Sequence, residues 1–397
     1  MSLFSAVEQA PADPILGLTE KFNADQNPNK VNLGVGVYQD ASGRLPLLRC
    51  VETAEKRLAE APKAKGYLPI NGIATYDEDV KKLVFGDDPD LLARVVTVQS
   101  LGGTGALKVG ADFLRSLNPD AGVLISRPSW ENHRALFTRA GFAVGEYTYY
   151  DEAAHGIDFE GMISDLEAAE PGTIVVLHAC CHNPTGYDLN DEQWGRVIEV
   201  VKARGLTPFL DMAYQGFSKS LDEDGAIVRR FAESIDSYLV SSSFSKTFSL
   251  YGERVGALSV VCADPAEAVR VLSQVKIAIR TNYSNPPTHG ALLVETVLAD
   301  PELRQQWVDE LGGMRDRIKE MRGALVAGLE AAGVSGMDFI LEQVGMFSYS
   351  GLSREQMVRL REEYGVYGTD TGRICVAALN PGNIEYVASS IAAVLKG

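Results

Sequence analysis

Apolar residues recur at spacings of three and four along Cys50 to Ala59, Thr104 to Leu117 and Leu303 to Ala331, the period of helices that lay one face on a core. Between these stretches lie short runs of another kind. Val95-Val96-Thr97-Val98, Gly122-Val123-Leu124-Ile125, Thr173-Ile174-Val175-Val176-Leu177, Pro208-Phe209-Leu210, Tyr238-Leu239-Val240 and Gly256-Ala257-Leu258-Ser259-Val260-Val261 alternate with helical patterns. Such runs suit strands covered on both faces, so the middle of the chain reads as an α/β domain built on a mainly parallel sheet. After Leu303 the order changes to one long helix, the strand-like Phe347-Ser348-Tyr349-Ser350, a helix from Arg354 to Tyr364, a strand-like Arg373 to Ala377 and a final helix. This predicts a smaller α+β unit, to which the extended Asn32 to Tyr38 segment is assigned. The expected division is a large domain over 45–312 and a small domain formed by 1–44, with its N-terminal arm, and 313–397.

A chain of 397 residues supports roughly two or three cores, in keeping with that division. With 46% hydrophobic and 23% charged residues, it has the balance of a globular protein, which excludes disordered and fibrous classes. The net charge of −16 is spread along the sequence without a basic cluster, so neither a nucleic acid nor a membrane is an expected partner. No apolar run is long enough to span a bilayer, and the N-terminus lacks the basic-then-apolar order of a signal peptide. The expected address is the cytoplasm. Five cysteines, with Cys180 and Cys181 adjacent, do not make an evenly paired framework and are read as reduced.

In open α/β sheets ligands gather at the carboxyl ends of strands, so the polar residues there are the candidates for chemistry. The Val95 strand is followed by Gly102-Gly103-Thr104-Gly105-Ala106, a glycine-rich turn opening a helix and offering N–H groups to a phosphate. His182-Asn183-Pro184-Thr185-Gly186 follows the Thr173 run, Asp211 and Tyr214 follow Pro208–Leu210, and Ser243-Phe244-Ser245-Lys246 follows Tyr238–Val240. With Trp130 after Ile125, the strand ends offer a phosphate cradle, a carboxylate, a phenol and a lysine. The glycine turn alone fits a plain helix start equally well, matching neither G-x-G-x-x-G nor the P-loop. Most lysines are solvated, but one flanked by Ser-Phe-Ser and Thr-Phe-Ser just past an apolar strand is expected to be buried. Burial favours the neutral amine, which an aldehyde cofactor needs.

Ser243-Phe244-Ser245-Lys246, with Arg254 eight residues on in Tyr251-Gly252-Glu253-Arg254-Val255-Gly256, resembles the cofactor-lysine motif of class I pyridoxal-phosphate aminotransferases. His182–Gly186, Asp211-Met212-Ala213-Tyr214-Gln215-Gly216 and Asn282-Tyr283-Ser284-Asn285-Pro286-Pro287 resemble that family's aspartate and aromatic amino-acid branch, and the likeness runs from Asp13-Pro14-Ile15-Leu16 to the last helix. The resemblance implies the type I fold of pyridoxal-phosphate-dependent transferases, with a large mostly parallel-sheet domain and a smaller α+β domain. It implies pyridoxal 5'-phosphate as cofactor, amino acids and 2-oxo acids as substrates, and a homodimer with shared active sites.

By the same resemblance Lys246 holds the cofactor aldehyde and then acts as general base and acid. Asp211 faces the pyridine nitrogen with His133 behind it, Asn183 and Tyr214 bond the ring's phenolic oxygen, and Trp130 stacks on the ring. Ser243, Arg254 and the backbone of Gly103 and Thr104 take the phosphate, with Tyr67 reaching in from the second subunit. Arg373 grips the substrate α-carboxylate and the partner's Arg280 a side-chain carboxylate; Gly36, Trp130 and Asn183 complete the substrate site. Tyr67-Leu68-Pro69-Ile70 and the Ser243 to Tyr251 segment look closer to the aromatic (tyrosine) branch, so the expected activity moves an amino group from tyrosine, phenylalanine or aspartate to 2-oxoglutarate, with a strict aspartate enzyme as the alternative. Two departures stand out: Arg127 occupies the position before Pro128 where the family commonly has Asp, and Tyr367 to Gly372, before Arg373, is less apolar than usual.

Other readings are weaker. His178, Cys180, Cys181 and His182 suggest a metal, but strand alternation would put Cys181 opposite the others and C-x-x-C spacing is missing, so no metal is expected. Ser243 to Lys246 also fits the S-x-x-K of serine hydrolases, yet neither Ser-Asp-Asn nor Lys-Thr-Gly occurs in the chain. A non-catalytic, cofactor-binding regulator would need a DNA-binding domain or a missing Arg373.

Overall fold

The structure, a computed structural model, describes residues 2–10 and 16–397. The Asp13-Pro14-Ile15 part of the family likeness lies outside them. The described strands are β1 (Val31–Asn32), β2 (Val95–Leu101), β3 (Gly122–Arg127), β4 (Ala143–Thr148), β5 (Tyr150–Asp151), β6 (Gly156–Ile157), β7 (Ile174–His178), β8 (Thr207–Met212), β9 (Tyr238–Ser243), β10 (Val255–Val261), β11 (Phe347–Tyr349), β12 (Val366–Tyr367) and β13 (Arg373–Cys375). Seven of them form one sheet in the order β2-β10-β9-β8-β7-β3-β4. Its pairs from β9 to β4 are parallel, whereas β10 runs antiparallel to both neighbours. The sheet is therefore mostly parallel, as the alternation of runs and helices implies.

The apolar runs are continuous because each strand feeds two cores. Ile174, Val176, Phe209, Leu239 and Leu258 point to one face, where Ala106, Leu107, Val275 and Ile279 of the Gly102–Leu117 and Pro265–Asn282 helices cover them. Val175, Leu177, Leu210, Val240 and Ala257, one residue out of step, point to the other, with Trp194, Val197 and Phe231. Three strands reach further than their apolar runs: β7 ends on His178, β8 takes in Asp211 and β9 takes in Ser243. Asp211 and Ser243, expected just past the strands, thus lie within them, which fixes the direction of their side chains, whereas Asn183, Tyr214 and Lys246 follow the strand ends.

The smaller unit is stitched to the start of the chain. β1 pairs in parallel with β12, Leu33 N donates to Tyr367 O and Cys375 N to Leu33 O. β11 pairs with β13, and Arg373 to Ala377 divides into β13 and a short 3₁₀ turn at Val376–Ala378. The long helix spans Pro301–Ala331 and opens with Asp300 accepting from the N–H groups of Glu302 and Leu303.

The Gly102–Leu117 helix lies against β8 so closely that a Cβ on Gly110 would come 2.5 Å from Phe209 Cζ. Gly110→Val should therefore force the helix off the sheet at a cost on the order of 1–3 kcal/mol. The check is urea unfolding, where a lower midpoint at unchanged slope is expected and an unchanged midpoint would show that the contact is soft.

Candidate active site

Cross-strand register builds the site. His178, Asp211 and Ser241 are partners across β7, β8 and β9, on the face where Phe209 and Leu239 point into the helix-covered core. The same face that is apolar along the strands becomes polar at their carboxyl ends, and a cavity of about 260 Å³ lies there. Gly103, Thr104, Trp130, Asn183, Asp211, Tyr214, Ser243, Lys246 and Arg254 line it, and Gly36, Phe347 and Arg373 close it from the other side.

One end is suited to an anion. Gly102 takes φ +67° where the chain turns from β2 into the helix, and a Cβ there would meet Arg254 Nη2 at 2.8 Å. No side chain caps this helix, so its first N–H groups remain available beside the Arg254 guanidinium and the Ser243 hydroxyl. Arg254 is steadied by donating from Nη1 to Tyr251 O (3.1 Å) and Ser245 Oγ (3.3 Å).

The middle holds opposite charges out of water. Burial alone would raise the Asp211 carboxyl, but a 2.9 Å hydrogen bond from His133 Nε2 and the nearby charges of His133 and Lys246 hold it below its ordinary value. His133, fully buried, is fixed in turn by Ser129 Oγ at 3.0 Å from Nδ1. Burial pulls Lys246 down to about 8, with Arg254 and Arg373 adding to the fall and Asp211 opposing it; its Nζ lies 5.0 Å from the centre of the Tyr214 ring. Burial also keeps the Tyr214 phenol protonated.

Arg373 is 1% exposed and donates from Nη1 to Asn183 Oδ1 (3.0 Å) and from Nη2 to Gly34 O (2.8 Å), with its guanidinium 4.3 Å over the Phe347 ring and Nε unpaired. Since Asn183 accepts through Oδ1, its amide N–H groups are left for another acceptor. A Cβ at Gly36 would meet Phe347 Cζ at 2.6 Å.

Three of the expected residues stand elsewhere. His133 donates to Asp211 from behind and does not line the cavity. Tyr67 is 95% exposed, and Arg280 is exposed at the end of the Pro265–Asn282 helix, bonded to Ser284 Oγ; neither reaches this chain's own cavity. Arg127 is exposed too, donating to Thr148 Oγ1 at the sheet edge, away from the cavity.

His178, Tyr251, Val35, Val37 and Phe347 line the cavity without having been singled out for it. His178 was legible, standing two residues past Val176 in the same alternation. It is held neutral, burial and His133 drawing it down to about 3 against the pull of Asp211, and neither ring nitrogen has a protein partner. Tyr251, whose hydroxyl accepts from Tyr38 N at 2.9 Å, stands five residues past Lys246 in the same segment, whereas Phe347 comes from a segment that only the tertiary fold brings near.

The alternation argument for Cys181 fails because β7 ends at His178, and Cys181 sits in a bend with φ +52°. Potential ligand atoms of His133, His178 and Asp211 lie within 4.8 Å of one another, as do those of Cys180, Cys181 and Asp224. Hydrogen bonds engage the carboxylates: Asp211 accepts from His133, and Asp224 accepts from the N–H groups of Gly216, Ser218 and Lys219. All five cysteines are buried free thiols.

A buried lysine and carboxylate at the strand ends of an α/β sheet, between an anion cradle and a buried arginine, define a group-transfer site for a phosphorylated, amine-reactive cofactor. The family described as aminotransferase class I and II matches residues 28–391. The chain is 61% identical over 398 residues to an aspartate aminotransferase of Pseudomonas aeruginosa, with both chains fully covered, and 49% identical to an aromatic-amino-acid aminotransferase of Escherichia coli, with 99% of this chain and all of the other covered. It superposes with a TM-score of 0.97 and 65% identity, over the full length of both chains, on the crystal structure of an aromatic-amino-acid aminotransferase from Burkholderia pseudomallei covalently bound to pyridoxal phosphate. The chain belongs to the class I and II aminotransferase family.

The lowered Lys246 ammonium has a direct consequence. In the cofactor-free chain, amine labelling of Lys246 should reach half its limiting rate near pH 8, about two units below exposed lysines. Because Arg373 depresses this value, Arg373→Leu should raise the midpoint; because Asp211 sustains it, Asp211→Asn should lower it. Competitive labelling followed by mass spectrometry gives each midpoint, and a wild-type value near 10 would refute the assignment.

Proposed function

We propose that this chain is a pyridoxal 5'-phosphate-dependent aminotransferase that moves the amino group of an aromatic amino acid (tyrosine, phenylalanine) or a dicarboxylic one (aspartate) to 2-oxoglutarate. The observation that carries the reading is the presence of Lys246 and Asp211 in one cavity, with Gly103, Thr104, Ser243 and Arg254 at one end and Arg373 at the other. The residues present fit the cofactor. The uncapped helix start leaves backbone donors for a phosphate, and a Cβ at Gly103 would crowd Ser243 Cβ at 3.3 Å, so glycine keeps that place clear.

When bound, pyridoxal phosphate supplies an aldehyde that amines can join and a conjugated ring that takes up the electron pair left as a proton leaves the substrate Cα. The chain does the rest. Lys246 Nζ would bind the aldehyde; freed by the substrate amine, it would take the Cα proton and deliver it to the cofactor's former aldehyde carbon, on the far side of the linking nitrogen, a task for an amine half neutral near pH 8. Asp211, kept ionised by His133, holds a proton at the ring nitrogen. The Tyr214 hydroxyl and the free Asn183 N–H groups serve as donors to the ring's phenolic oxygen, and Trp130 packs on the ring. Arg373 binds the α-carboxylate, its Nε unpaired in the ligand-free site.

Amino acids and oxo acids are the substrates. In the same reading two copies of the chain share their sites: Tyr67 and Arg280, solvent-exposed here, reach the phosphate and the side-chain carboxylate of the other copy. The domain limits at 45 and 313 and a cytoplasmic address belong to it as well. No helix among the described residues is long and apolar enough to cross a membrane. Relatives bearing both aspartate and aromatic names support dual specificity, with a strict aspartate enzyme as the second reading.

Borohydride reduction of the yellow holoenzyme, followed by peptide mapping, should place the pyridoxyl group on Lys246. A label on another lysine would overturn the mechanism, and acylation of Ser243 by an active ester would favour the hydrolase. Asp211→Ala should lose several kcal/mol of transition-state stabilisation, seen in kcat with modest loss of cofactor. Near-normal turnover would contradict its role.

Arg280 tests the dual specificity. An aromatic donor brings no charge for it, and an unpaired buried guanidinium is unfavourable, so it should stay hydrated when a ring binds. Arg280→Leu should lower kcat/KM for aspartate and 2-oxoglutarate by orders of magnitude while leaving tyrosine and phenylalanine half-reactions within about tenfold. Stopped-flow half-reactions read this directly. Equal losses for aspartate and phenylalanine would make Arg280 structural.

A further inference from the structure

The Pro301–Ala331 helix carries Arg315, Lys319 and Arg322 at spacings of four and three, which places the three cations on one face. That face borders a second cavity of about 220 Å³, closed by Phe217 from the segment after Tyr214 and by Leu341 and Gly345 before β11. It is separate from the site above.

Arg322 is only 3% exposed. Its Nη2 donates to Gly345 O (2.8 Å) and Phe347 O (3.1 Å), while Nη1 is buried with no partner. The groups whose negative forms would sustain its charge are Cys181, Cys375 and Tyr187, and burial keeps each of them protonated. Burial draws the guanidinium itself down to about 10. Lys319 is exposed at the rim, and among the described residues neither it nor Arg322 forms an ion pair. Arg315 is partly committed, donating to Gly216 O at 3.1 Å with its Nε 3.7 Å from Asp316 Oδ1.

The pocket therefore gathers a buried guanidinium with a spare donor, an unpaired ammonium and a third cation, without a carboxylate on its wall, in a chain whose net charge is −16. A buried cation left without a counter-ion is unfavourable, and an external anion relieves it. We propose that this pocket binds a small oxyanion, with inorganic phosphate as the simplest example, between the long helix and the loop leading into β11. The anion would pair with Lys319 and, with a side-chain shift that uncovers it, accept from Arg322 Nη1. Since Phe347 follows that loop and lines the active cavity, the occupant also braces one of its walls.

The test is isothermal titration of the holoenzyme, its cofactor phosphate site filled, with inorganic phosphate at constant ionic strength. A saturable site is expected, weakened at least tenfold in Lys319→Glu and in Arg322→Met but unchanged in Arg373→Leu, which removes the carboxylate-binding arginine of the other cavity. Lys319 is exposed, so Lys319→Glu decides the matter even if Arg322→Met fails to fold. No saturable binding, binding indifferent to Lys319→Glu, or binding abolished by Arg373→Leu would overturn the proposal.

Discussion

Asp211 carries a negative charge at the end of β8 with its side chain almost wholly withdrawn from water, and the surrounding structure is organised around that unfavourable placement. Left alone, a buried carboxyl takes up a proton. Here His133 donates to it, Ser129 orients His133, and Lys246 adds charge from the cavity side. Neutral His178 fills the neighbouring position without a charge of its own. The outcome is a carboxylate that keeps its charge and a lysine that gives up its proton near pH 8.

The fold supplies this arrangement by direction rather than by loops alone. Alternation along β7, β8 and β9 aims His178, Asp211, Ser241 and Ser243 at the face covered by the Gly102–Leu117 helix, whose unoccupied N–H groups meet the same cavity. From the far side Arg373, on β13 and tied to Gly34 and Asn183, joins the smaller unit to the wall of the larger one. Because Asn183 takes a hydrogen bond from Arg373 and offers its amide N–H groups elsewhere, the roles proposed for the two residues, carboxylate binding and bonding to the ring, would be linked through one side chain.

Much of this was legible in the sequence, for physical reasons. Fully buried strands leave continuous apolar runs, and the residues at their ends inherit positions in a row, so Asp211, Ser243 and Lys246 could be found by looking there. β4 was not legible: Ala143–Thr148 is an edge strand, mostly exposed or half-buried, and mixes Gly and Glu with its apolar residues. Nor could the runs reveal that β10 is reversed, since an apolar run carries no direction. Val35 and Phe347 escaped notice because their place in the cavity depends on how the smaller unit seats, and Tyr251 because it stands in the turns between Lys246 and Arg254 rather than at a strand end. Tyr67 and Arg280 were nominated only by resemblance, and one chain alone leaves both exposed. Arg127 departs from the family pattern but serves the sheet edge through Thr148.

The central claim is that the ionised Asp211, held so by His133, keeps a proton on the cofactor's ring nitrogen. The most direct measurement is the ¹⁵N chemical shift of that nitrogen in holoenzyme loaded with ring-labelled pyridoxal phosphate, followed from pH 6 to 9 in the wild type and in Asp211→Asn. The account predicts a protonated shift throughout in the wild type and an unprotonated one in the variant. An unprotonated ring nitrogen in the wild type, or a protonated one in both, would contradict it.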